Sequence, residues 1–146
     1  MRVVAVLLII TWAGACASRA FGPPEMTIDR SACTQCGMLI SEPKHAAAIR
    51  LSNGSDLLFD DIGCLVTHEQ KRPADGAQYW FHDAADGQWI AGVAPVFVKA
   101  SSLRTPMAGG IVSFRDRDAA ERFAAGNTGR VVNNIESLIA ATGNAK

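Results

Sequence analysis

The chain has 146 residues, 49% hydrophobic and 19% charged, with three Trp and six Phe. That is the length and composition of one folded domain, which excludes a large multidomain enzyme and a disordered chain. Lys plus Arg balance Asp plus Glu at 14 each, so the basic excess of a nucleic-acid binder is missing and no nucleic-acid partner is expected.

Met1 and Arg2 precede an apolar run over residues 3–10, and the small residues Ala13, Gly14 and Ala15 stand directly before Cys16. The run is far shorter than the roughly 20 apolar residues that span a bilayer, and the pattern is that of an export signal. Small residues ahead of a cysteine resemble a lipobox, with Ala13 where Leu is usual. Residues 1–15 are therefore predicted to be a lipoprotein signal peptide and Cys16 the lipidated residue. Acyl chains on Cys16 would hold the mature protein at a membrane, since each buried methylene contributes about 0.8 kcal/mol. Residues 16–27 contain Pro23 and Pro24, cannot be helical and read as a tether. The domain is expected over residues 28–142. Removing the leader takes away one charge, Arg2, so the folded part is nearly neutral.

Within the domain, residues 46–51 and 56–60 are apolar-rich runs flanking Ser52-Asn53-Gly54-Ser55, and Asn-Gly is a strong hairpin signal. Asp60 or Asp61 can cap a helix with Ile62, Leu65 and Val66 on one stripe, ending before Pro73. Residues 78–83 and 88–90 read as short aromatic strands. Residues 93–99 and 111–114 are again strand-like, and Asp116 can cap a helix burying Ala119, Ala120 and Phe123. Residues 129–132 suit a last strand, and Asn134 caps a final helix carrying Ile135, Leu138 and Ile139. The class is α+β. Two similar strand-strand-helix halves are expected, about 28–75 and 76–142, because Leu57-Leu58-Phe59-Asp60-Asp61 parallels Val112-Ser113-Phe114-Arg115-Asp116.

Chemistry is concentrated in sulfur. With Cys16 spent on lipid, the domain holds Cys33, Cys36 and Cys64, an odd number that leaves a thiol beyond any disulfide pair. In Cys33-Thr34-Gln35-Cys36-Gly37-Met38, two thiols two residues apart can face one point, and Gly37 lets the chain turn so that Met38 joins them. Soft thiolate and thioether donors select copper(I) over calcium or magnesium, and no second Cys-x-x-Cys or paired His completes a zinc site. The same pair also suits a redox or structural disulfide. Met107, in the loop Thr105-Pro106-Met107-Ala108-Gly109-Gly110, is either a further sulfur ligand or a lid over core. Cys64 and His68 share a helix face, but Cys64 adjoins the apolar stripe and reads as core, so Cys36 should matter more to a metal than Cys64. His45 reads as a solvated loop residue and His82 as a weak candidate. Asp60 and Asp61 are accounted for by capping. No nucleophile–base set, phosphate loop or dinucleotide fingerprint appears, so no catalysis is expected.

Taken in order, Cys33-x-x-Cys36-Gly37-Met38-x-Ile40 after a lipobox, Phe59-Asp60-Asp61-Ile62-Gly63-Cys64, Trp89-Ile90, Thr105-Pro106-Met107-x-x-Gly110-Ile111-Val112-Ser113-Phe114 and Gly129-Arg130-Val131-Val132 resemble the NosL family of copper-binding lipoproteins. The resemblance runs from Cys33 to about Ile139. It implies a periplasmic accessory protein tethered to the outer membrane. Such a protein binds copper(I) and supplies it to the machinery that assembles the copper centres of nitrous oxide reductase in denitrification. It also implies a metal site of Cys33, Cys36, Met38 and Met107. Ala108 departs from the Gly that often follows this Met in the family. The alternative from another class is an exported thiol-disulfide protein working through Cys33 and Cys36. Separately from the resemblance, a monomer or weak dimer is expected.

Overall fold

The computed structural model describes residues 22–90 and 94–143. The expected signal peptide, Cys16, the first part of the expected tether and the residue 93 end of one expected strand lie outside them. No helix among the described residues is long and apolar enough to cross a membrane.

The expected hairpin forms between β1 (Ala47–Arg50) and β2 (Asp56–Phe59) in antiparallel register, Ala47 opposite Phe59. Gly54 takes φ +83°, and Asn53 Oδ1 accepts from the Ser55 amide at 3.0 Å, so the Asn-Gly pair turns the chain by the local chemistry that favours it. Helix α1 (Ile62–Lys71) follows, with Asp61 as its N-cap. The chain then returns as β3 (Gln78–Phe81) on the other edge of β1, antiparallel, Ala47 opposite Phe81. The second half repeats the plan with β4 (Val96–Lys99), β5 (Ile111–Phe114), α2 (Arg117–Gly126, capped by Asp116) and β6 (Arg130–Val132). Strand orders are β2-β1-β3 and β5-β4-β6.

The repeating unit is therefore strand-strand-helix-strand, one strand longer than the sequence suggests. The boundary expected near residue 75 moves beyond β3, because Gln78–Phe81 completes the first sheet. Residues 88–90 form a single bridge, His82 with Trp89, in place of the second strand expected there. Helix α3 (Ile135–Gly143) stands outside the repeat and packs against α1.

Alternation along the strands decides how the halves meet. Val96, Val98, Val112 and Phe114 share one face of the second sheet and pack with Ala120 and Ala124 of α2. Its other face turns Phe97, Ile111 and Val132 into the core built by β1, β2 and α1 of the first half, so this sheet is covered on both sides. Phe81 and Phe97 join the halves edge to face, ring centroids 4.9 Å apart. In α2 the fully buried positions are Ala120 and Ala124, while Ala119 and Phe123 are only partly covered.

The described end of the expected tether packs on the domain. Pro24 is buried, and Arg50 on the outer face of the first sheet donates to the Gly22 carbonyl at 2.6 Å while gripping Asp56 through Nε and Nη2. Docking therefore already includes Gly22, ahead of the start near Thr27 that the sequence suggests.

Candidate metal centre

Cys33 to Met38 form a closed turn. The Cys33 amide donates to the Met38 carbonyl at 2.8 Å, the Gly37 amide to the Cys33 carbonyl at 2.9 Å, and Gly37 takes φ +77°, a conformation open to glycine at little cost. The turn is pinned to the edge of the first sheet: the Thr34 amide donates to the Leu58 carbonyl at 2.7 Å, and Thr34 Oγ1 accepts from the Leu58 amide at 3.2 Å. Strand β2 ends one residue later and runs through Asp60 and Asp61 into α1, whose first turn carries Cys64. The chain thus delivers a third thiol to the same place. The three sulfurs of Cys33, Cys36 and Cys64 all lie within 4.8 Å of one another, and all three cysteines are free.

This corrects the reading of Cys64 as core alone. It is buried, at 5% exposure, as the apolar stripe requires, yet its sulfur points at the pair. The odd count of cysteines in the domain was the signal for it.

The thiols are electrostatically unequal. Cys33 is held down to about 4, first because the Cys64 thiol donates to its sulfur, with the Asp60, Cys36 and Gln35 amides adding further donors against the opposing effect of burial. Cys64 is pushed up for the reciprocal reason, reinforced by burial, and Cys36 is raised chiefly by desolvation. Of the three, Cys33 is therefore the sulfur that gives up its proton most readily.

A cleft of about 270 Å³ opens over the cluster, lined by Cys36, Cys64, Gln35 and Thr67, with Met107 from the second half and Thr142 from α3. Cys33, 2% exposed, lies beneath it. Met107 reaches the cleft because its loop touches α1 directly: a Cβ on Gly109 would sit 2.5 Å from Asp61 Oδ1, and one on Gly63 3.0 Å from the Gly109 Cα. Between them Ala108 takes φ +56°, a left-handed conformation that explains why glycine suits that position. Met38, by contrast, is 54% exposed and does not line the cleft, although its backbone closes the Cys33 turn.

The histidines are not part of the three-thiol group and have other partners. His45 is buried, not solvated as expected, with Nε2 3.5 Å from Glu42. His68 lies against the Phe59 ring, and His82 stacks on Trp89 with its Nδ1 against the Ala46 carbonyl at 3.0 Å. Asp60 accepts from the Ser41 amide at 3.2 Å, and burial raises its carboxyl. Asp61 caps α1 as predicted, but capping occupies only one of its oxygens.

Comparison with known proteins places this geometry. The family model NosL matches residues 24–137. Among solved structures, the crystal structure of the copper chaperone NosL from Shewanella denitrificans matches with a TM-score of 0.65 at 24% identity, over 76% of this chain and 94% of that one. That likeness establishes the fold. No curated protein matches the chain.

Proposed function

The chain belongs to the NosL family, and we propose that it is a copper(I) carrier that holds its cargo on Cys33, Cys36 and Cys64 beneath the thioether of Met107. The observation that supports this most is the cluster of three sulfurs within 4.8 Å under a cleft carrying a fourth. An ion about 2.3 Å from each of three sulfurs spaces them roughly 4 Å apart, so the cluster needs little rearrangement. Thiolates with a thioether suit a polarizable monovalent d¹⁰ ion, while zinc would seek a fourth Cys or His. Exposed Met38 serves as an outer sulfur during capture and release. Exchange through the open cleft begins at Met107 and Cys36, because Cys33 lies below them.

The thiol-disulfide alternative fits less well. Exchange requires an exposed, activated thiolate, and here the activated thiol is the buried Cys33 while accessible Cys36 is raised.

By the same reading, the protein acts in the periplasm, as a monomer or weak dimer anchored to the outer membrane through lipid on Cys16. It supplies copper for assembly of nitrous oxide reductase and performs no catalysis itself. In cells, a palmitate analogue should label the wild type and not Cys16→Ala, and deletion should leave the reductase short of copper. An unlabelled wild type, or a fully loaded reductase in the deletion strain, contradicts the respective assignment.

Titration of the reduced chain lacking residues 1–16, against a competing chelator, should give one copper(I) per chain, undisturbed by equimolar zinc. Met107→Ala should weaken binding about tenfold, about 1.4 kcal/mol, with the apo melting temperature almost unchanged, because the side chain is 41% exposed. Met38→Ala should have a smaller effect. Zinc displacing copper would sink the cargo assignment. A large loss of apo stability with unaltered affinity would make Met107 a lid over the core.

A further inference from the structure

We propose that the buried carboxylate of Asp61 is the positioning residue that holds Met107 over the thiols, locking the second half of the molecule onto the metal-binding turn of the first; this rests on the copper(I) reading above.

Asp61 is fully buried and divides its oxygens between the halves. Oδ1 accepts from the Gly63 amide at 2.6 Å, the N-cap bond of α1. Oδ2 accepts from the Thr105 hydroxyl, from the Met107 amide at 3.1 Å and from the Gly109 amide at 3.4 Å, all in the loop that presents Met107. The Asp61 carbonyl in turn accepts from the Cys64 amide at 2.9 Å. One residue therefore references both the third thiol and the thioether.

Capping alone does not demand this. The duplicated half provides an internal comparison: Asp116 stands at the same place before α2 and caps it through Oδ1 to the Ala119 amide at 2.8 Å, and among the described residues no loop is gathered on its second oxygen. A serine or asparagine could cap α1 as well. Only a carboxylate has a second oxygen free of hydrogens to accept donors from across the molecule. The facing glycines have the same logic, since a Cβ on Gly109 would collide with this carboxylate. Thr105 adds a second tie, accepting from the Gly110 amide at 3.2 Å. Preorganisation is the consequence: a loop already held by charge-assisted bonds contributes its thioether without the entropic cost of ordering.

Asp61→Asn tests this in the full chain under reducing conditions. The amide keeps an oxygen for Gly63 but turns hydrogens toward the donors of the loop. In the metal-free variant, exchange of the Met107 and Gly109 amides should accelerate while Gly63 stays protected. Copper(I) affinity should fall about tenfold, and adding Met107→Ala should cost less than about twofold more, because the thioether is already out of place. The isotope-labelled Met107 methyl signal, which should shift on copper(I) binding in the parent, should stay put in Asp61→Asn. Losses that multiply, with a methyl signal that still shifts, overturn the proposal. Thr105→Val leaves the carboxylate and cap intact, and should show the same non-additivity with Met107→Ala in weaker form. Multiplying losses there also overturn it, even if Asp61→Asn fails to fold. A parent chain that takes up no copper(I) refutes the carrier reading itself, whereas a parent that binds with unchanged coupling in Asp61→Asn refutes only the role of Asp61.

Discussion

Cys64→Ser is expected to leave the domain folded and to weaken copper(I) binding at least 100-fold, about 2.7 kcal/mol. A serine oxygen fills nearly the same volume but is a hard, neutral donor that does not ionise to replace a thiolate. Cys36→Ser should produce a loss of similar size, since the sulfurs form one mutually close set. Chelator competition on the parent and both variants, with circular dichroism as the folding control, checks this. A Cys64→Ser protein that binds within a few-fold of the parent would confine the site to Cys33, Cys36 and the methionines, and return Cys64 to the core.

The largest effect on stability is expected from Phe97→Ala. Phe97 sits mid-strand in β4, the central strand of the second sheet, with no exposed surface, and its ring meets Phe81 edge to face across the junction of the halves. Truncating such a phenylalanine costs about 3–5 kcal/mol in transfer and cavity terms. That is a large part of the roughly 5–15 kcal/mol by which domains are stable. For a domain of this size the apo melting temperature should fall by about 10–20 °C. Phe123→Ala, on the partly covered flank of α2, should cost clearly less. Excess copper(I) should recover part of the Phe97→Ala loss, since a ligand that binds only the folded state raises its stability by mass action. If both variants melt alike, the halves are not held together through Phe97.

How much of this was legible beforehand differs residue by residue. The Asn53-Gly54 turn, the caps at Asp61, Asp116 and Asn134 and the turn around Cys33 and Cys36 are encoded within a few residues. Each rests on a side chain bonding its own neighbouring backbone or on one glycine with positive φ. The two halves were visible because the repeat places a strand and a capped helix at matching offsets. Their third strands were read as strands but not assigned to the sheet of either half. Gln78-Tyr79-Trp80-Phe81 reads as a strand, but pairing with β1 joins residues about 30 apart and leaves no local mark.

The amino-acid sequence by itself determined the elements, their caps, the soft-donor chemistry of the Cys33 turn and the duplicated plan, since all of these follow from spacing and side-chain type over short stretches. Only the tertiary structure decided the direction of Cys64, the burial of His45, the docking of Gly22 and the second duty of Asp61. Periodicity reports that a residue is buried but not what it is buried against. A cysteine on an apolar stripe satisfies the same pattern whether its sulfur meets a leucine or two other sulfurs. A capping aspartate looks the same in sequence whether its second oxygen meets water, as the surface position of Asp116 allows, or gathers a loop 44 residues away. That choice depends on how two sheets pack, and it is made by side chains that are remote from one another in the chain until the fold closes.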